Sequence, residues 1–288
     1  MLYRWMFWVI IWLSMAAMPI LALAQAAGLP RMNPAPKPIN IIDLPGKFGQ
    51  EFVDTAVDYA AYWTVPFRWQ EKEWGTFWTV VGITGAVILV DQPIWRNVDP
   101  GDFRSMNTAL QSFHELGQWQ HTAILLSSGY VGSYILQDPK LERASRIAIK
   151  SFLFQSMVNQ GMKNLIYRTI IDDPYDFRVG PPKWQLPSSG AFPSGHASNM
   201  WAMMSGYALA YKDDPIIPWL CYGSATIGSA LLVTNGDHWV SDIILGAALG
   251  YYSAEYMTYL DDKRARDRGE WVPVIEPNRV GVAMRIGF

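Results

Sequence analysis

From Lys47 to Trp63, apolar side chains recur at helical spacing, with Phe48, Phe52, Ala56, Tyr59 and Ala60 on one stripe. This predicts an amphipathic helix lying across a core or on a membrane surface. Six further apolar segments follow, at about 76–90, 121–137, 145–166, 196–211, 216–234 and 238–260. Most fall short of the roughly 20 apolar residues that span a bilayer, or carry polar residues inside. They fit a compact soluble bundle or short membrane spans, and the run Pro215–Thr234 is the most membrane-like. Segment 145–166 holds Lys150, Gln155, Asn159, Gln160 and Lys163, so it faces something polar. In segment 238–260, Gly246 and Gly250 form a small-xxx-small face against which another helix packs closely. The fold class is all-α, a helical bundle with its core at about 76–262. The tail from Arg279 to Phe288 alternates large apolar with small or charged residues, a strand pattern. We expect that strand to lie against the body; an outer-membrane barrel would need many such strands.

The start of the chain has a different pattern. Arg4, an apolar run from Trp5 to Leu13, and Ala22-Leu23-Ala24 give residues 1–24 the layout of a secretory signal peptide. An uncleaved anchor helix is the alternative. Either way the working part lies outside the cytoplasm, in the periplasm or the cell-envelope membrane. Residues 25–75 combine a linker rich in proline (Pro30, Pro34, Pro36, Pro38, Pro45) with the amphipathic segment and an aromatic cluster of Trp63, Phe67, Trp69 and Trp74. Such a cluster suits a membrane interface or a core. Residues 263–288 form a separate tail.

Composition narrows the classes. The 288 residues are 50% hydrophobic, with 14 Trp, 14 Tyr and 12 Phe, yet mean hydropathy is only +0.05. A net charge of -2 excludes the basic profile of a nucleic-acid binder. The single cysteine, Cys221, excludes an internal disulfide and a cysteine-based zinc site and reads as a core thiol.

The candidate chemistry sits in two stretches. Gly190-Ala191-Phe192-Pro193-Ser194-Gly195-His196 reads as the entry to a helix, with Ser194 as its cap and His196 in the first turn. Free amides at a helix start, a hydroxyl and an imidazole suit a tetrahedral oxyanion such as phosphate. Downstream, Asp242 follows His238 by four positions. On a helix the two share a face, so the carboxylate can orient the ring. His114 and His121 receive no role, being helix surface or core. Asp237 reads as solvated or helix-capping. There is no G-x-S-x-G, H-E-x-x-H, glycine-rich phosphate loop or calcium loop.

Together these residues resemble the type 2 phosphatidic acid phosphatase (PAP2) superfamily, which shares its core with vanadium-dependent haloperoxidases. Its motifs run Lys-x6-Arg-Pro, Pro-Ser-Gly-His and Ser-Arg-x5-His-x3-Asp. The second is whole, as Pro193, Ser194, Gly195 and His196; the third survives as His238, Trp239 and Asp242. In the first, Lys163 is in place, but Ile170 stands where the arginine belongs and Ile171 where the proline does. Leu232 replaces the arginine of the third motif, and Leu231 its serine. The resemblance implies that His238 attacks phosphorus, Asp242 orients it, and His196 protonates the leaving oxygen. Lys163, Ser194, Gly195 and Arg168 would hold the phosphoryl oxygens. Arg168, Arg178 and Lys183 are candidates to replace the missing guanidiniums. On a regular helix Arg168 would lie about 140° around from Lys163, so it could serve only if the helix ends first. The implied activity is hydrolysis of a phosphomonoester or pyrophosphate through a phosphohistidine, with a lipid or isoprenoid as the expected carrier. No cofactor or metal is expected. The expected partners are a phosphorylated small molecule or lipid and a membrane. The alternatives are a relative that kept the bundle but lost turnover, and a vanadate-dependent haloperoxidase.

Overall fold

A computed structural model describes residues 44–97, 100–168, 179–180, 190–267, 270–276 and 279–285. The signal segment, the proline linker, Ile170, Arg178 and Lys183 lie outside the described residues, as does most of the loop 171–192. Within them the chain is a helical bundle: α1 (Leu44–Thr64), α2 (Glu71–Trp95), α3 (Arg104–Ala109), α4 (Gln111–Glu115), α5 (Trp119–Leu136), α6 (Pro139–Leu165), α7 (Gly195–Ala210), α8 (Ile217–Thr234) and α9 (Val240–Asp267). Helix starts follow local chemistry. A capping box between Gln70 and Glu73 opens α2. Asp138 caps α6 by accepting from the amides of Lys140 and Leu141, and Pro139 supplies the fixed φ of a first helical position.

Helix α7 is the centre and is buried along most of its length. Glycine lets its neighbours approach. A Cβ on Gly206 would lie 2.7 Å from Cα of Ala148 on α6, one on Gly246 2.5 Å from the carbonyl oxygen of Ser194, and one on Gly250 2.6 Å from the amide nitrogen of Ala202. The small-xxx-small face of α9 thus packs on α7. Ala197, Met200, Leu232, Val233 and Ile243 form one buried cluster; Trp201, Ala225 and Tyr251 form another.

Helix α1 packs on α6 and α9 through Tyr59 and Tyr62 against Phe154, and through a 2.9 Å hydrogen bond between Tyr62 and Ser253. Its acidic face enters an ion-pair network: Lys150 to Asp58 at 3.0 Å, Arg264 to Asp58, Arg146 to Asp261 at 2.6 Å, and Arg143 to Asp261 at 2.8 Å and to Asp262. Helices α2 and α8 are long and apolar enough to cross a membrane. Of these α2 is the more outward-facing, burying only Thr84 and Asp91.

The short helices α3 and α4 were not expected; at 6 and 5 residues they are too short to show a period in sequence. The tail does form a strand, β4 (Arg279–Arg285), but its partner is an unforeseen β3 (Glu270–Glu276). The two pair antiparallel in a register running from Glu270 opposite Arg285 to Glu276 opposite Arg279. A second small pair joins β1 (Tyr167–Arg168) and β2 (Val179–Gly180).

Gly250→Ala would push a methyl group into α7 backbone, which cannot move aside as a flexible side chain can. We expect a loss of about 1–3 kcal/mol, read as a lower unfolding midpoint of the detergent-solubilised protein.

Candidate active site

Three segments meet at one end of the bundle. The first is the C-terminus of α6. Lys163 lies in its last turn, and its ammonium is 3.6 Å from where a Cβ on Gly195 would stand. Burial pulls this lysine's pKa below its ordinary value, with the Asp242 carboxylate acting the other way.

The second segment is the start of α7. Ser194 caps it as expected, its side chain accepting from the Ala197 amide at 3.2 Å. The Ser194 amide donates to the Asp242 carbonyl at 3.0 Å, which joins the two candidate stretches through backbone. Asn159 of α6 supports the turn, donating to Ser198 Oγ at 3.2 Å. A side chain at position 195 would fill the space between Lys163 and the helix start, where an oxyanion would approach the amides.

The third is the turn between α8 and α9. Gly236 has φ 87°. The Asp237 amide donates to the Leu232 carbonyl at 3.0 Å and the Gly236 amide to the Val233 carbonyl at 3.1 Å. This is a Schellman ending, and glycine suits its left-handed position. It reverses the chain and delivers His238 just before α9. His238 is therefore not helical, although the i, i+4 reading assumed a shared helix. Asp242 still reaches it: Nδ1 of His238 lies 3.5 Å from Oδ2 of Asp242, which leaves Nε2 pointing away. The same carboxylate accepts from the Trp239 amide at 3.2 Å.

The imidazoles of His196 and His238 meet, with ring centroids 6.1 Å apart. A family model described as the PAP2 superfamily matches residues 145–266, which carry every one of these groups. The stretch that carries the site is similar to the PAP2 superfamily. Two relatives are lipid A 1-phosphatases. That of Rhizobium johnstonii is 26% identical over 64% of this chain and 78% of its own length. That of Rhizobium etli is 25% identical over 64% and 82%. A solved structure, the transmembrane PAP2-type phosphatidylglycerolphosphate phosphatase from Bacillus subtilis, aligns with a TM-score of 0.45 at 18% identity, over 74% of this chain and 95% of that one.

Against the PAP2 pattern, the two leucines of the third motif are core residues: Leu231 is 1% and Leu232 0% exposed. Leu232 lends its carbonyl to the turn and its side chain to the cluster around Met200. Arg168, expected to hold phosphoryl oxygens, is committed elsewhere. Helix α6 ends at Leu165, so Arg168 enters extended in β1. Its guanidinium donates to Asp242 Oδ1 at 2.6 Å, to Ser241 Oγ at 2.8 Å and to Asp91 Oδ2 at 2.9 Å, and lies over the Trp239 ring. All of these groups are buried. Two carboxylates outcompete an exchangeable anion for one enclosed guanidinium, so Arg168 acts on Asp242.

Three residues in this region escaped the sequence reading. Asp91, on α2, also accepts from the Ser241 amide at 3.1 Å. Its signal was a carboxylate directly after the apolar run Ala86 to Val90, since charge at such a place is seldom idle. His114 and Asp237 are the other two. They hydrogen-bond at 3.0 Å, and the His114 ring stacks on that of His196 with centroids 5.6 Å apart and planes 29° apart. No local pattern marks His114. Among the described residues, no group of three or more His, Cys, Asp or Glu is arranged to hold a metal ion.

Burial lowers His196 to about 4, helped by His238, His114 and Lys163 and opposed by Asp237. Burial alone would raise the Asp237 carboxyl, but the His114 hydrogen bond and the neighbouring imidazoles hold it below its ordinary value.

Asp91→Ala strands a buried guanidinium between one carboxylate and hydrocarbon. We expect about 3–5 kcal/mol lost, measured by denaturant or thermal unfolding. Replacing both partners, Asp91→Leu with Arg168→Met, should cost less stability than Asp91→Ala alone while still impairing any activity that needs an oriented Asp242.

Proposed function

We propose that this protein is a membrane-associated phosphatase that hydrolyses a phosphomonoester or pyrophosphate carried on a lipid. One observation carries the reading: an Asp-oriented imidazole and a second imidazole face each other beside a serine-capped helix start and a lysine. Two imidazoles on either side of a tetrahedral anion can supply a nucleophile and an acid.

In the proposed reaction, Nε2 of His238 attacks phosphorus. The N–P bond forms as the P–O bond to the leaving group breaks, and His196 passes its proton to the leaving oxygen. Water then attacks the phosphohistidine and gives a proton to His196. The N–P bond breaks and phosphate departs. Asp242, held by Arg168, stabilises the charge His238 acquires as it bonds to phosphorus. Lys163, Ser194 and the amides at Gly195 hold the phosphoryl oxygens.

The lipid part rests on the surface and on the relatives. Large apolar side chains stand exposed along α2 (Trp78, Ile83, Leu89), α5 (Ile124, Val131, Ile135) and α8 (Trp219, Leu220). A soluble monomer seldom leaves such a band in water. Trp69, Trp74, Phe77 and Trp78 cluster at the start of α2, as side chains at a membrane–water boundary do. The activity named for the relatives, lipid A 1-phosphatase, fits a substrate presented from a bilayer. The signal-like N-terminus adds export to the proposal.

A second reading, a binding protein that lost turnover, is favoured by Leu232. A charge-assisted hydrogen bond contributes about 1.5–3 kcal/mol, whereas a helix start contributes about 0.3–1 kcal/mol. The amides at Gly195 therefore do not replace a guanidinium by themselves. Phosphate release from a lipid phosphate in mixed micelles separates the readings. The first expects His238→Ala to lower the rate by about 10³-fold or more, and a phosphohistidine at 238 to be trapped from wild type by rapid quenching. Equal rates in both proteins would refute it.

The low pKa of His196 gives a further expectation. With no anion bound the ring is neutral near neutral pH. A dianion beside it favours the imidazolium and raises its pKa, so binding must take up a proton. Calorimetry of inorganic phosphate, at a pH where free phosphate is dianionic and in buffers of different ionisation enthalpy, should show net uptake. His196→Gln should abolish it.

A further inference from the structure

His114 enters the site from outside the three family motifs, on a helix of 5 residues. The fold holds that helix against the site by two close approaches. A Cβ on Gly117, just after α4, would lie 2.7 Å from the His196 carbonyl oxygen and 2.9 Å from its Cβ. A Cβ on Gly228 of α8 would lie 2.7 Å from the Phe113 carbonyl oxygen. Asn199 of α7 completes the clamp, donating to the Gly117 carbonyl at 2.9 Å. Helix α4 is thus gripped by the helix that carries His196 and by the helix that leads to His238.

The side chain is as constrained as the backbone. Nε2 of His114 meets Oδ2 of Asp237 at 3.0 Å, and Asp237 is fixed by the Gly236 turn beside His238. The flat of the His114 ring backs the ring of His196, on which His238 also closes. Burial of His114 is substantial, with 18% of its side chain exposed. The groups facing His196 are therefore His114, His238, Lys163 and, through His114, Asp237.

We propose that His114, oriented by Asp237, is a positioning residue for His196: it holds that imidazole in the rotamer that presents its edge to the pocket, and it tunes the proton the ring carries. This rests on the phosphatase reading for its catalytic consequence but not for its structural one. His114 forms and breaks no bond to substrate. Its effect reaches the reaction only through His196.

The test uses the full chain in detergent. The chain has 4 histidines, so a histidine-labelled sample gives few enough ring signals for NMR titration. His114→Phe keeps a flat ring against His196 and removes the ring nitrogens and the link to Asp237. Asp237→Asn keeps His114 and removes the carboxylate. We expect the His196 midpoint to rise in His114→Phe and to fall in Asp237→Asn. A merely structural role would move both the same way or neither. In phosphate release, we expect His114→Phe to lower kcat about tenfold with KM little changed, a fraction of what general acid catalysis supplies. Lys212→Ala, exposed in the turn after the far end of α7, serves as the control and should behave as wild type. An unchanged His196 midpoint in His114→Phe overturns the proposal. If wild type releases no phosphate, the phosphatase reading fails, and the titration still decides the positioning role.

Discussion

The site depends on one buried guanidinium held between two carboxylates. Arg168 joins Asp91 of α2 to Asp242 of α9, and Asp242 in turn faces His238. A pair of ions taken out of water is stable only if nearly every polar atom finds a partner. The surroundings largely meet that demand: Ser241 contributes its hydroxyl and its amide, and the Trp239 amide and ring cover the remaining sides. The arrangement does more than stabilise. It fixes the Asp242 carboxylate in one orientation, so the imidazole beside it has one edge left to offer. It also ties the outward-facing apolar helix α2 to the end of the bundle where the two imidazoles meet.

That commitment explains the economy of charge at the site. With Arg168 spent on carboxylates and Leu232 buried in hydrocarbon, Lys163 and the α7 amides are what the described residues present to an anion. Such a pocket is less cationic than the full family pattern would give. The imidazole cluster compensates in part, because His196 can become a cation when an anion arrives. In the proposed function, anion binding is thereby linked to a proton.

The third imidazole extends the same logic. His238 has Asp242 behind it, and His196 has His114 with Asp237 beyond. Each ring is backed by a group that an ionic partner orients, Asp242 by Arg168 and His114 by Asp237. Gly236, Gly117 and Gly228 do the mechanical part, since each close approach or reversal occurs where a side chain would obstruct it.

The sequence by itself determined a good deal. The longer helical segments were legible as apolar runs, and α1 by its amphipathic period, because burial selects apolar side chains along an element such as α7 and along one stripe of an element such as α1. The cap at Ser194 was legible because helix-start chemistry dictates it, and the pairing of His196 with His238 because both stand in motifs that resemble the PAP2 pattern. The tertiary structure decided the rest. It placed the Arg168 guanidinium on Asp242 and Asp91, which the sequence did not show because Asp91 lies 77 positions away. It brought His114 to His196 through helices too short to leave a period. It gave β4 its partner and put Leu232 in the core. Side chains distant along the chain meet only when helices pack, and no local pattern records which buried charge will find which partner.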